Sequence, residues 1–319
     1  MLDLRMRRRG SPQVGSTKPN AGISDDSTLL QKATTRVLLL YDELPEWAKD
    51  NEYILSGWRP ETNSYWECLR SMAYIHNETG NIYTHFFAAL WMIVLGSWWS
   101  GYAKERYPAT DSDDAIVFFL FFFGGTVCYL LSTAYHVFGN HSHATHLFFL
   151  KLDFLGILTV TAGCFPPGLW YTFPCASRQL RFRWMTVDLT AQLCACLLAL
   201  FSKSFQAPKM RILRVTVFSI MASSAFYPII IKIFQVGWSR ANAEYGASLY
   251  GLTILIYLCS VATYVLRVTE AWKPGYFDTW GQSHQIFHVG MAIGLTVHFL
   301  AFFRAVNQFY AVKHGQCPD

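Results

Sequence analysis

Seven long apolar stretches follow residue 80, and they constrain the fold of this chain more than any other feature of its sequence. A helix that crosses the hydrocarbon core of a bilayer needs about 20 mostly apolar residues, so seven crossings use roughly 140 of the residues after position 80. The stretches lie at about 81–101, 114–137, 148–171, 184–202, 211–236, 246–266 and 284–305. The sequence therefore predicts an all-α membrane protein, a bundle of seven transmembrane helices whose two ends lie on opposite sides of the membrane.

The small share of charged residues argues against other classes of protein. Of the 319 residues, 52% are hydrophobic and 15% are charged, whereas a soluble domain carries roughly a quarter of its residues as charges. The charges cluster in the first 80 positions and in short breaks between the apolar stretches. Disordered and nucleic-acid-binding chains are richer in charge, so we expect no nucleic-acid partner.

Composition divides the chain into four segments. Residues 1–36 are rich in Ser, Thr, Gly, Pro and charge, and we expect them to be disordered, without a cleaved signal peptide. Residues 37–80 mix Trp and Tyr with charged residues, which is typical of a segment at headgroup level, and we expect a short interfacial helix around 64–75. An ordinary soluble linker is the alternative. The membrane domain then covers 81–306, and 307–319 form a C-terminal tail.

Basic residues favour a cytoplasmic N terminus. The first 80 residues carry ten Lys or Arg, and positive charge near a span is retained on the cytoplasmic side. Only Arg59 and Arg70 lie near the first span, and the later loops carry basic residues on both faces. We expect an integral, multi-pass protein of the plasma membrane or of an internal membrane, with its N terminus in the cytoplasm.

The eight cysteines have no CxxC spacing and fall mostly inside the apolar stretches. We interpret them as small buried apolar side chains. A disulfide between Cys175 and Cys317 on the far side of the membrane is the alternative.

Polar residues inside three apolar stretches point to a functional site, because ionisable groups at membrane depth are costly and usually functional. Ser132 and His136 are four residues apart near the end of the second span, and Asp153 lies near the start of the third. His284 and His288 begin the seventh span with the same four-residue spacing. Residues four apart share one helix face, and HxxxH is a familiar pair of zinc ligands.

The order of the spans places these residues at one depth. The second span returns to the N-terminal face, and the third and seventh spans leave from that face. His136, Asp153, His284 and His288 should therefore lie in one leaflet. A lone histidine near a helix end usually binds a carbonyl or faces the headgroups, but four polar residues that converge favour a shared metal site.

Other polar residues fit this site less well. Three loop histidines, His141, His143 and His146, are expected to form a solvated surface patch. Asp188 and Gln192 in the fourth span and Lys232 in the fifth should lie nearer the opposite leaflet and pair or snorkel. The remaining histidines are expected at other depths or on other faces: His76, His85, His298 and His314.

Three histidines on one zinc ion leave a fourth position for water, as in catalytic zinc sites. Zinc lowers the pKa of that water toward neutrality. Asp153 could then accept its proton as a general base, and Ser132 could orient the water or donate to a developing oxyanion.

These residues resemble the signature of the progestin and adipoQ receptor family, which includes adiponectin-receptor-like and haemolysin III-related proteins. The resemblance rests on Ser132 to His136, on Asp153, on His284 to His288 and on the segment HNETGNIYTH at 76–85. It covers about residues 40–315 and is closest to fungal members. It implies seven spans with a cytoplasmic N terminus, the reverse of G-protein-coupled receptors, and a zinc ion held by His136, His284 and His288.

The resemblance also implies a function. Adiponectin-receptor members are associated with zinc-dependent ceramide hydrolysis, and fungal members with zinc and lipid homeostasis. We therefore expect a ceramidase-like hydrolase that releases a fatty acid from a membrane lipid amide, with a receptor or signalling role that includes an extracellular protein ligand. The alternative is a regulator of zinc and sterol or other lipid homeostasis whose zinc is structural. The sequence does not indicate the oligomeric state.

Overall fold

In a computed structural model of the chain, residues 38–202 and 210–313 are described. These residues form helices and connections, and an isolated bridge between Leu39 and Trp58 is the one β-type pairing among them. The segment 1–36, for which disorder was expected, and residues 314–319 of the C-terminal tail, which include His314, lie outside the described residues.

The described helices follow the expected apolar stretches closely. Two single turns of 3₁₀ helix, Tyr41–Glu43 and Glu46–Ala48, precede them. In chain order the helices are α1 (Tyr65–Ser71), α2 (Thr79–Arg106), α3 (Ser112–Phe138), α4 (His143–Thr172), α5 (Arg178–Phe201), α6 (Arg211–Val236, with a 3₁₀ turn at Ser224–Phe226), α7 (Trp238–Tyr245), α8 (Ala247–Leu266), α9 (Val268–Trp272) and α10 (Ser283–Lys313).

Six of these helices, α2, α3, α4, α6, α8 and α10, are long and apolar enough to cross a membrane. Helix α5 occupies the position of the fourth expected span and has 24 residues, but it does not belong to these six. The described residues therefore support a multi-pass membrane protein with six candidate spans, one fewer than expected.

Helices α3 and α4 pack in direct backbone contact, and this contact brings the expected site residues together. A Cβ atom added to Gly124 of α3 would lie 2.4 Å from the carbonyl oxygen of Thr159, and one added to Gly163 of α4 would lie 2.4 Å from that of Leu120. Only glycine permits this approach, which is typical of helix pairs in membranes.

Side-chain caps fix where α3 and α4 begin. The Asp111 side chain accepts hydrogen bonds from the backbone N–H groups of Asp113 and Asp114. Ser142 accepts from the N–H of Thr145 at the start of α4. Both residue types are favoured at this position because they satisfy N–H groups that have no partner within the helix.

The polar residues expected to pair away from the site do so. Gln192 of α5 accepts a hydrogen bond from Thr161 of α4 at 2.5 Å and donates to Asp188 at 2.5 Å and to Ser224 of α6 at 3.2 Å. The Lys232 ammonium lies 4.6 Å from the ring centroid of Phe173 and 5.3 Å from that of Tyr245.

The cysteines follow the expectation at most positions but not at Cys175. Six are free thiols, and Cys68, Cys164 and Cys196 are buried. Cys175, just after α4, is disulfide-bonded, so its interpretation as a small apolar side chain was wrong. Cys317, the partner that the sequence offered, lies outside the described residues.

The segment before the first span folds back on the bundle. The expected interfacial helix is present as α1, capped by the Ser64 side chain, with Trp66 largely exposed. The preceding chain contacts the α9–α10 connection: Asp278 accepts hydrogen bonds from the Leu55 N–H at 2.9 Å and from the Ser56 hydroxyl at 2.6 Å. Part of the segment 38–64 therefore packs against the α9–α10 connection.

Candidate metal centre

Three histidines from two distant helices meet at one end of the bundle. His136 lies in the last turn of α3, and His284 and His288 lie in the first two turns of α10. One ring nitrogen of each lies within 4.8 Å of the others, and this is the one such group of metal-ligating side chains among the described residues. The expected convergence of these three residues is confirmed.

The hydrogen bonds of His136 and His288 leave a free nitrogen on each ring for a metal. The Nδ1 atom of His136 lies 2.7 Å from a carboxylate oxygen of Glu78, which can only accept, so Nδ1 carries the proton. The Nδ1 atom of His288 lies 3.2 Å from the carbonyl oxygen of Asn81 and 3.2 Å from the Thr84 hydroxyl. Each remaining Nε2 atom is then an unprotonated donor of the kind that zinc binds.

The Nε2 atom of His136 shows that this set fits a metal ion. It is buried and has no hydrogen-bond partner, which is costly in an apolar interior. Zinc bonds imidazole nitrogen at about 2.0–2.1 Å, so two such nitrogens lie no more than about 4.2 Å apart. The three ring nitrogens lie within 4.8 Å of one another, close to that range.

Glu78 and Asn81 orient the metal-ligating rings, and neither was singled out from the sequence. The Glu78 carboxylate holds His136 and also accepts from the Asn81 side-chain amide at 2.7 Å. Burial raises the pKa of the Glu78 carboxyl, but His136 and Asn81 outweigh burial and hold that pKa well below its usual range. Such outer-shell partners fix the tautomer and orientation of metal-binding histidines.

Ser132 and Asp153 lie beside the histidines but outside the group of ligating atoms. Ser132 is buried one turn before His136 on α3. Asp153 on α4 is partly buried, next to Ser132 and within electrostatic range of His136. A carboxylate placed near a metal set without joining it suits proton transfer better than ligation.

The sequence-based exclusion of His85 from this end was wrong. The ring of His85 on α2 stacks on that of His288, with centroids 3.5 Å apart and planes 9° from parallel. Because α2 also leaves from the N-terminal face, its first turns lie at the same depth as those of α10. The parity argument, applied to the first span, would have placed Glu78 and His85 here.

The other histidines have aromatic partners. His143 stacks on Trp47 with centroids 5.4 Å apart, and His146 contacts the same ring at 5.5 Å. His141 packs on Tyr65 at 4.2 Å. These three belong to no group of metal ligands among the described residues. Farther along α10, His298 is buried against Phe226 at 5.5 Å.

A buried arginine from the N-terminal segment closes the end of the helix that carries His136. The Arg59 guanidinium donates to the backbone oxygen of His136 at 2.5 Å, to that of Val137 at 3.0 Å and to the Ser71 hydroxyl at 2.7 Å. Burial lowers the pKa of Arg59. A cation at a helix C-terminus satisfies carbonyl groups and the helix dipole, so Arg59 fixes the position of His136.

Glu270 on α9 binds the start of α10, as Arg59 binds the end of α3. Its carboxylate accepts from the N–H of Ser283 at 2.8 Å, from the Ser283 hydroxyl at 2.7 Å and from the Asn51 amide at 3.0 Å. Burial raises the pKa of Glu270, but the bonds to Ser283 outweigh it and the pKa lies below its usual value. This carboxylate holds the residue that precedes His284.

Comparisons with known proteins place the chain in a family. Residues 73–299 match the profile of a family described as haemolysin-III related. The chain is 32% identical over 277 residues to the adiponectin receptor protein of Drosophila melanogaster, which covers 87% of this chain but 61% of the relative. It is 33% identical over 274 residues to the ADIPOR-like receptor IZH1 of Eremothecium gossypii, covering 85% of each. It is 31% identical over 284 residues to the ADIPOR-like receptor IZH2 of Saccharomyces cerevisiae, covering 89% of this chain and 87% of the relative.

Proposed function

This chain belongs to the haemolysin-III-related family, together with adiponectin-receptor-like proteins, and on that premise we propose that it is a zinc-dependent hydrolase of a membrane lipid amide. The observation that carries the proposal is the convergence of His136, His284 and His288, the first and last of them buried, with Asp153 and Ser132 beside them. The substrate is a ceramide or a related lipid amide, and the product is a free fatty acid.

The chain's own residues have separate tasks in this reaction. His136, His284 and His288 hold the ion through their ring nitrogens. When bound, zinc supplies Lewis acidity and an activated water molecule beside the scissile carbonyl. Asp153 accepts a proton on its carboxylate as general base, and the Ser132 hydroxyl donates a hydrogen bond to the negative oxygen that develops on the carbonyl.

An apolar groove supports a lipid substrate. It has a volume of about 410 Å³ and lies between α2 and α10, lined by Phe87, Trp91, Val289 and Ile293 among others. These four side chains are exposed, as expected of a surface that faces acyl chains. Thr84 lines the same groove and contacts His288, so one side chain separates the groove from the metal centre.

The orientation in the membrane is part of the proposal. With α5 as a seventh span, the histidine end faces the cytoplasm and the α4–α5 connection faces the other side. The disulfide at Cys175 supports this orientation, because disulfides persist in oxidising compartments. The sequon Asn140-His141-Ser142 should then carry no glycan, and a sugar on Asn140 would reverse the orientation.

The first experiment compares wild-type protein with two variants in mild detergent, with zinc content verified. We expect wild type to release fatty acid from ceramide. His136→Ala should lose both zinc and release, whereas Asp153→Ala should keep its zinc and lose about 10²- to 10⁴-fold in rate. His143→Ala, an exposed histidine outside the triad, is the matched control and should match wild type. No release from zinc-loaded wild type across several chain lengths would reject the hydrolase.

A second function is a receptor or regulator of zinc and lipid homeostasis, including sterols, in which zinc joins α3 and α10 without turnover. The clamps by Arg59 and Glu270 favour it, because they hold the ends of the two helices that the ion would connect. An extracellular protein ligand belongs to this proposal. In that case Asp153→Ala keeps both its zinc and its signalling output, and His136→Ala loses both.

A further inference from the structure

The first turns of α2 present polar atoms that the metal centre does not use. His85 is 5% exposed, and neither of its ring nitrogens has a hydrogen-bond partner. Asn81, one helical turn earlier, is 1% exposed, and its side-chain oxygen also has no partner. Unpaired polar atoms at membrane depth cost several kcal/mol each. The two nitrogens of His85 and the side-chain oxygen of Asn81 lie on one helix face, and together they indicate that a polar group of a ligand binds there.

His85 cannot share the ion that His288 binds without leaving its observed position. The lone pair of an imidazole nitrogen lies in the plane of the ring. The planes of His85 and His288 are nearly parallel, with centroids 3.5 Å apart, so an ion in the plane of His288 lies well out of the plane of His85. The nitrogens of His85 therefore point beside the metal position, where a bound ligand extends.

Asn81 is held in place for the same task. Its amide nitrogen donates to Glu78 and its backbone oxygen accepts from His288, so its free side-chain oxygen is fixed relative to both metal-ligating helices. Thr84, between Asn81 and His85 in sequence, lines the apolar groove. The groove thus passes beside the helical turns that carry Asn81 and His85, although neither residue lines it.

We propose that His85 and Asn81 form a subsite for a hydroxyl group of the lipid bound beside the metal centre. A neutral imidazole offers one donor and one acceptor, and the Asn81 oxygen is a second acceptor. A hydroxyl accepts from the His85 N–H and donates to one of the two acceptors, whereas an ester carbonyl only accepts. The inference rests on the proposed lipid ligand but not on turnover. The hydroxyl belongs to a sphingoid amide or to a sterol.

Equilibrium binding tests the subsite without catalysis. Zinc-loaded wild type and His85→Phe, which keeps an aromatic ring over His288, are titrated with three labelled probes: palmitoyl ceramide, an N-alkyl palmitamide without hydroxyls, and ergosterol. We expect His85→Phe to bind the hydroxylated ligand about tenfold more weakly, as lost hydrogen bonds imply, and to bind the palmitamide as wild type does. Weakening with ceramide or with ergosterol distinguishes the two sources of the hydroxyl.

Two further variants control for packing. His298→Phe replaces another buried histidine, outside the metal centre, and should change neither probe affinity nor zinc content. His85→Gln restores a donor and an acceptor and should recover most of the ceramide or ergosterol affinity.

Three results would overturn the subsite: unchanged discrimination between hydroxylated and unhydroxylated probes in His85→Phe, equal weakening of all probes, or loss of zinc from that variant. Discrimination would be unchanged if an ordered water molecule, and not a lipid hydroxyl, binds to His85 and Asn81. If wild type binds ceramide with this discrimination but releases no fatty acid, the subsite stands and the hydrolase falls. If wild type hydrolyses ceramide and His85→Phe does so equally well, the hydrolase stands and the subsite falls.

Discussion

The two ends of the helix bundle both bury ionisable groups, but they treat them differently. At the end opposite the histidines, Asp114 is fully buried and accepts hydrogen bonds from Tyr171 at 2.7 Å and Tyr310 at 2.5 Å. Asp113 nearby receives two bonds from the Arg178 guanidinium. These carboxylates have protein partners, which is typical of groups retained for structure.

At the histidine end Glu78, Arg59 and Glu270 also have protein partners, but several buried imidazole and amide atoms have none. The buried histidine and asparagine atoms without a hydrogen-bond partner among the described residues all lie here, on His76, Asn77, Asn81, His85, His136 and Asn140. A satisfied network stabilises the fold by itself, whereas unsatisfied groups at the same depth indicate a bound water molecule, an ion or another ligand. The comparison therefore contrasts carboxylates that are satisfied at one end with imidazole and amide atoms that are not at the other, although Thr172 and Arg181 at the first end also carry an unpartnered atom.

The largest expected effect is on the free energy of unfolding, and it comes from a substitution at the end opposite the histidines. Asp114→Ala leaves the hydroxyls of Tyr171 and Tyr310 without their buried acceptor, and it should lower the free energy of unfolding by about 3 kcal/mol. Its zinc affinity should equal that of wild type, as thermal unfolding and a zinc competition assay in the same detergent can check. A variant that loses zinc affinity would mean that the two ends are coupled.

Glu78→Gln tests the binding end. The amide keeps the shape of the side chain and can still accept from His136, but the negative charge is lost. Zinc affinity should fall about 10- to 100-fold, the usual effect of changing an outer-shell partner, while unfolding without zinc changes little. Glu67→Gln, on the exposed face of α1, is the control. Equal zinc affinity in Glu78→Gln and wild type would remove Glu78 from the site.

Substitution of Arg59 should have a smaller effect on zinc affinity than substitution of Glu78. Arg59→Met removes the bonds that hold the carbonyl groups of His136 and Val137, and we expect about fivefold weaker zinc binding together with reduced stability. Arg59→Lys keeps the charge and should recover part of the zinc affinity. Loss of stability with unchanged zinc affinity would make Arg59 a structural residue only.

Glu270 gives the smallest effect, which depends on pH. Because its pKa is lower in the folded protein than in the unfolded chain, it stabilises the fold above the usual carboxyl range near pH 4.3. This contribution is lost as the pH falls through the lower folded value. Glu270→Gln should therefore show a shallower decrease in melting temperature as the pH falls from about 5 to about 3. Parallel pH profiles for the variant and wild type would contradict the clamp on Ser283.

Several parts of this protein could be predicted from the sequence because they depend on one-dimensional properties. Apolar length gave the position of each long helix from α2 to α10, with the largest differences at the start of α5, six residues earlier than expected, and at the end of α10, eight residues later. Span order gave the shared depth of His136, His284 and His288 because alternate spans begin on the same face. Neither inference needs to know how the helices are rotated or which ones are neighbours.

Tertiary structure decided which residues complete the site. Glu78 and His85 reach the histidines because α2 packs against α10, and the rotation of α2 about its axis is set by contacts with other helices. Arg59 and Glu270 act through segments that fold back over the ends of α3 and α10, and a polar connection carries no periodic signal for such a path. The depth of a residue follows from the order of the spans. The direction in which its side chain points, and which segments cover the helix ends, depend on packing between distant parts of the chain.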